Sequence, residues 1–98
     1  MGVRVRIPGP LRRLADGNAE VIVEGSTVAE VIDALDKKYP GFKQRLCDEQ
    51  GNLRQFINIY HNDMDIRFAE GLATKVADND DISIIPAVAG GIYGKKTA

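Results

Sequence analysis

Ile82-Ser83-Ile84-Ile85-Pro86-Ala87-Val88-Ala89-Gly90-Gly91 is the stretch on which the reading of this chain turns. Ile82 to Ile85 is a nearly all-apolar strand, which suits a central place in a sheet with a helix over one face. Pro86 has no N–H to give to a neighbouring strand, so it ends the pairing. Ala87 to Gly91 then reads as a flexible tail of small side chains. Five residues reach at most ~17 Å from the domain, enough to thread a chain end into a buried site. Small side chains fit a narrow channel, and Gly90-Gly91 lets the backbone approach a partner closely. The chain does not stop there: Ile92-Tyr93-Gly94-Lys95-Lys96-Thr97-Ala98 follow.

Working outward, Val3-Arg4-Val5-Arg6-Ile7 alternates apolar and polar residues, as a half-buried strand does. Pro8-Gly9-Pro10 ends it, and Leu11 to Ala15 is expected as a loop or a single turn. Glu20 to Glu24 reads as a second strand, paired with the first in a hairpin despite a long connection. Thr27-Val28-Ala29-Glu30 has the form of a capping box. Val28, Val31, Ile32 and Leu35 then fall on one face of a helix, which Tyr39-Pro40-Gly41 stops. A further helical turn is expected over Phe42 to Leu46 and a loop over Cys47 to Gln55. Phe56 to Tyr60 reads as a strand, Met64 to Phe68 as a short edge strand, and Gly71 to Thr74 as a loop. Strand, strand, helix, strand, short strand, strand is an α+β arrangement. It is the order of the β-grasp, or ubiquitin-like, fold: a mixed sheet of four to five strands with one main helix on one face.

The chain has 98 residues, the size of one compact domain. Thirteen basic and fourteen acidic residues give a net charge of −1, which argues against a nucleic-acid binder. No run of about 20 apolar residues is present to span a bilayer, and no secretory signal pattern opens the chain. A single cysteine, Cys47, cannot form an intramolecular disulfide. A cytoplasmic protein is the simplest expectation.

No catalytic constellation stands out, so the chain is not expected to be an enzyme. His61, the one histidine, sits at a strand end without a partner in catalytic spacing and reads as exposed. Cys47 lies in a polar stretch with no metal-ligand spacing and reads as a structural or incidental thiol. Asp78, Asp80 and Asp81 lack the glycine and glutamate that a calcium loop requires, so they read as a solvated turn. No bound metal or cofactor is expected.

The blocks Phe56-Ile57-Asn58-Ile59-Tyr60, Asn62-Asp63, Asp65-Ile66-Arg67-Phe68, Gly71-Leu72-Ala73-Thr74 and Ile85-Pro86-Ala87-Val88-Ala89-Gly90-Gly91 stand in order. With them, residues 1–91 resemble the MoaD/ThiS sulfur carriers, and most nearly the branch that serves cysteine biosynthesis. Asn79 stands where that family often has the glycine of an Asp-Gly-Asp turn, and asparagine tolerates a left-handed backbone.

The resemblance implies that the Gly91 carboxylate is the reactive group. A ubiquitin-activating-like adenylyltransferase/sulfurtransferase would use ATP to adenylate it, and sulfide or a persulfide would displace AMP to leave a thiocarboxylate. Pro86, Ala87, Val88 and Ala89 would lie against the partner. The acceptor would be an activated serine derivative on a cysteine-synthase-like enzyme, or a molybdopterin precursor on the molybdopterin synthase large subunit. The extension from Ile92 to Ala98 predicts a precursor, cut between Gly91 and Ile92 by a JAMM-type zinc metalloprotease. A different class of reading is a non-conjugating ubiquitin-like binding module. Substitution of Gly90 or Gly91 would be silent in that module and crippling in a carrier.

Overall fold

In a computed structural model the chain is described over residues 2–86. β1 (Val3–Arg6) and β2 (Glu20–Val23) form the expected antiparallel hairpin, with Val5 opposite Val21 and Val3 opposite Val23. Their long connection is no mere loop. Gly9–Ala15 winds as a 3-10 helix, because Leu11 and Ala15 both turn into the core. The Arg12 Nε donates to the Ile7 carbonyl at 2.9 Å and ties this segment back to the end of the hairpin strand.

α1 (Val28–Lys38) begins where the capping box places it. Thr27 Oγ1 accepts the Glu30 N–H at 3.2 Å, and Glu30 Oε1 accepts the Ser26 N–H at 2.8 Å. The glutamate thus reaches one residue further back than the usual reciprocal partner. Gly25 is required just before: a Cβ there would lie 2.9 Å from the Val31 nitrogen. Val28, Val31, Ile32 and Leu35 are all buried. Asp36 Oδ1 accepts from the Gly41 and Lys43 N–H groups, both at 3.0 Å, and so joins α1 to α2 (Phe42–Leu46). Phe42 and Leu46 are wholly buried, and Phe42 meets Tyr39 edge-on at a centroid distance of 6.4 Å.

β3 (Ile57–His61), β4 (Met64–Asp65) and β5 (Asp81–Pro86) complete a five-stranded sheet in the order β2-β1-β5-β3-β4. β5 is central, as its apolar sequence predicted. It runs parallel to β1 and antiparallel to β3. Ile82 and Ile84 join Val3, Val5, Val21, Val23, Ile57 and Ile59 in the core cluster that contains the α1 stripe. This is the ubiquitin-like β-grasp, a mixed sheet with one main helix.

Three expectations need correction. The edge strand read over Met64 to Phe68 covers only Met64 and Asp65. Ile66 turns into the core and the chain closes a 3-10 turn over Ile66–Phe68, with Asp65 Oδ1 capping the Arg67 N–H at 2.9 Å. Gly71–Ala73 is likewise a 3-10 turn rather than a loop. His61 is not a freely exposed strand-end residue, because its side chain is only 22% exposed and its Nε2 lies 2.8 Å from Asp80 Oδ2.

The His61–Asp80 contact belongs to a clasp around the turn that feeds β5. Asp80 Oδ2 also accepts the Ala77 N–H at 2.9 Å. Asn79 adopts a φ of 72°, as expected for asparagine in this turn, and its N–H donates to the Gly2 carbonyl at 2.7 Å. The hydrogen bond from His61, followed by that from Ala77, holds the Asp80 carboxyl below the usual carboxylate range. A depressed carboxylate stabilises the fold above its unfolded-state pKa, near 3.9, and loses that contribution as pH falls through its folded value.

Two expected outcomes follow from this packing. Phe42→Ala leaves a large cavity under α1 and lowers stability by about 3–5 kcal/mol in urea unfolding. Asp80→Asn lowers the melting temperature at pH 7, and the gap from the parent chain closes as pH drops below about 4; a gap constant with pH would remove the carboxylate from this account.

Candidate functional site

The end of β5 sets where the remaining chain leaves the sheet. The Asn62 N–H donates to the Asp81 carbonyl at 2.8 Å one step beyond His61–Ile82, the pair that begins the β3–β5 register, which makes this a hydrogen-bonded position of the ladder. Such pairs alternate along an antiparallel ladder. Tyr60–Ser83 and Asn58–Ile85 are therefore hydrogen-bonded pairs, and Ile57–Pro86 is a non-hydrogen-bonded one. Pro86 stands as the last residue in register, and its missing N–H costs no bond to β3. The β1–β5 register has already ended at Arg6 opposite Ser83. Of the site residues expected from sequence, the structure describes Pro86 alone. Ala87, Val88, Ala89, Gly90, Gly91 and Ile92 lie outside the described residues.

The open face of the sheet carries both charged and apolar side chains. Across β2, β1 and β5, Arg4, Arg6, Glu20 and Asp81 form a neutral network. Arg4 Nη1 stands 2.9 Å from Asp81 Oδ1 and Arg6 Nη1 stands 3.2 Å from Glu20 Oε2. These side chains are a third to a half exposed, so the pairs add little stability. Apolar side chains are exposed too, among them Ile22, which stands opposite Arg4. Ile85 shares the open face, Phe56 precedes β3 directly, and Phe68 is 84% exposed in the turn after β4. Between them Arg67 bonds to Ile57, Asn58 and Arg54. Residue-by-residue reading placed Arg67 and Phe68 in an edge strand and gave them no role; the available signal was the Asp65 side chain, able to cap a turn two residues on.

Other reactive groups are accounted for. The Cys47 thiol is buried, which favours the structural of its two readings, and its backbone bridges to Leu53 across the following turn. Burial pushes that thiol's pKa up, away from reactive thiolate. A cleft of about 330 Å³ over Lys43, Cys47 and Arg54 is also lined by the carboxylates of Asp36, Asp48 and Glu49. Among the described residues no cluster of His, Cys, Asp and Glu could hold a metal ion. No described helix is long and apolar enough to cross a membrane.

Comparison with known proteins agrees with this geometry. The model of the ThiS family matches residues 5–91, ending at Gly91. The sulfur carrier protein CysO of Mycobacterium tuberculosis is 47% identical over 93 residues, covering 93% of this chain and all of the relative. The molybdopterin synthase sulfur carrier subunit of the same organism is 32% identical over 92 residues, covering 91% of this chain and 96% of the relative. A chain in the crystal structure of the Amycolatopsis orientalis BexX/CysO complex superposes with a TM-score of 0.87 at 46% identity, over 92% of this chain and all of that one. The chain belongs to the ThiS family: it is a CysO-like sulfur carrier with the ubiquitin-like fold, a protein cosubstrate and not a catalyst.

Proposed function

We propose that this protein carries sulfur as a thiocarboxylate on Gly91 and delivers it in cysteine biosynthesis. The observation that carries the reading is the family match, which closes at Gly91, five positions after the central strand ends at Pro86, while Ile92 to Ala98 lie past it. Residues 92–98 are removed first, by a JAMM-type metalloprotease that cuts the Gly91–Ile92 bond. An ATP-dependent activating enzyme then joins the freed carboxylate to AMP and releases pyrophosphate. Sulfide, or the terminal sulfur of a persulfide with two electrons from a thiol reductant, attacks the acyl carbon, and AMP leaves. The thiocarboxylate sulfur next bonds to the β-carbon of an activated serine derivative on a cysteine-synthase-like enzyme, the activating group leaves that carbon, and hydrolysis of the carrier–cysteine adduct releases cysteine and restores the Gly91 carboxylate. These steps run in the cytoplasm.

The division of labour has a physical basis. A carboxylate is a poor electrophile, and among the described residues no nucleophile–base pair is set beside the end of β5 to activate it. His61 is engaged with Asp80 and Cys47 is buried. The domain supplies a rigid handle and the partner supplies the chemistry. The greater likeness to CysO than to the molybdopterin synthase subunit of the same organism, 47% against 32%, favours cysteine over molybdopterin as the product.

The deciding experiment is intact mass spectrometry of the protein isolated from its own cells. The expected species ends at Gly91 with one terminal oxygen replaced by sulfur. A chain that always retains Ala98, together with unchanged growth when Gly91 is deleted, overturns the reading in favour of a non-conjugating binding module.

A further inference from the structure

The edge of β3 that faces away from β5 is only half covered. β4 pairs with Tyr60 and His61 and then stops at Asp65, where the chain turns inward at Ile66. The Ile57 carbonyl points toward this uncovered edge, because Ile57 and Pro86 form a non-hydrogen-bonded pair. Arg67 takes the place of the missing strand. Its Nη2 donates to the Ile57 carbonyl at 2.8 Å and reaches the Arg54 carbonyl at 3.4 Å. That second oxygen also receives the Ile57 N–H at 3.0 Å. Arg67 Nη1 donates to Asn58 Oδ1. One planar guanidinium with several donors in a fixed fork serves three acceptors at once, which an ammonium cannot do in that geometry. Ile57 and Asn58 are the β3 residues opposite Pro86 and Ile85, the last two residues of β5.

We propose that Arg67 is a positioning residue for Gly91: it braces the end of β3 from its free edge and so keeps closed the last pairs of the β3–β5 ladder, from which the chain runs on to Gly91. The inference rests on the reading of Gly91 as the reactive end. Arg67 acts through Ile57 and Asn58, and its side chain needs no contact with the reacting carboxylate. Without the brace, Asn58–Ile85, the last hydrogen-bonded pair of the ladder, opens more often. Ile85 and Pro86, from which the chain runs on to Gly91, are then less firmly held. Fewer encounters place the carboxylate against ATP, while docking of the rest of the domain is unaffected. The loss therefore falls on kcat rather than KM.

Two measurements test this on Arg67→Ala and Arg67→Lys. Amide hydrogen exchange on the full chain needs no partner. The Ile85 and Asn58 amides are expected to exchange about tenfold faster in both variants, with those of Ser83 and Tyr60 within about twofold of the parent. Unchanged exchange, acceleration spread evenly along β5, or full rescue by lysine overturns the proposal. The second measurement is adenylation by the activating enzyme, using chains that end at Gly91 and retain every described element. An approximately tenfold fall in kcat with KM within about twofold supports positioning. A rise in KM at constant kcat makes Arg67 a docking contact and overturns it. If the parent chain is not adenylated at all, the sulfur-carrier reading fails, and the exchange measurement by itself decides whether Arg67 braces the ladder.

Discussion

The structure depends on the insertion of the last strand into the middle of the sheet. Ile82 and Ile84 are buried only because β5 enters between β1 and β3, and without them neither neighbour has a complete core face. The β1–β5 contact is parallel, so it needs a long crossover, and nearly the whole chain serves as one. Arg4 and Asp81, which bond across it, are 77 positions apart in sequence. Closing so long a loop carries an entropic cost that grows only slowly with length. It also makes the central pairing one of the least local in the molecule, a kind of contact that slows folding. The clasp of His61, Asn62, Asn79 and Asp80 holds the strand at its point of entry.

This insertion also decides where the chain leaves. A last strand on the edge of a sheet would be held from one side only. Here β5 is flanked by β1 over its first half and by β3 to its end, so Pro86 is reached with a register still defined by Ile57. The far side of β3 is closed at the same level by a side chain instead of a strand. Under the proposed function this arrangement has a use, because the last paired residues, Ile85 and Pro86, are where the chain runs on toward Gly91. The charges of Arg4, Arg6, Glu20 and Asp81 on the open face neutralise one another, and Phe56, Phe68 and Ile85 are exposed.

Much of this was legible in the residues. The alternation of Val3 to Ile7, the capping box at Thr27 and Glu30, and the apolar run at Ile82 to Ile85 are local patterns with one simple structural solution each. Asn79 in a left-handed turn is another. Where reading failed, the residues had two local solutions. Met64 to Phe68 suits an edge strand by composition, but burying Ile66 while capping the next turn with Asp65 required the core to be present first. His61 looked exposed because its partner lies nineteen positions away. Cys47 looked polar because its neighbours are, while its own side chain joins the core behind Leu46.

For the site, the sequence by itself determined the order of residues on which the proposed chemistry rests: small residues ending in Gly90-Gly91 after an apolar strand, with further residues beyond them. That is covalent information, carried by the order of residues, and it needs no fold to be read. Only the tertiary structure decided the support of the strand that leads to them. That Ile57 turns its carbonyl away from β5, that β4 ends too soon to cover it, and that Arg67 closes the gap all follow from ladder phase and strand length. Ladder phase is set by which residues face the core once three distant strands have met, and no local pattern in the chain encodes it.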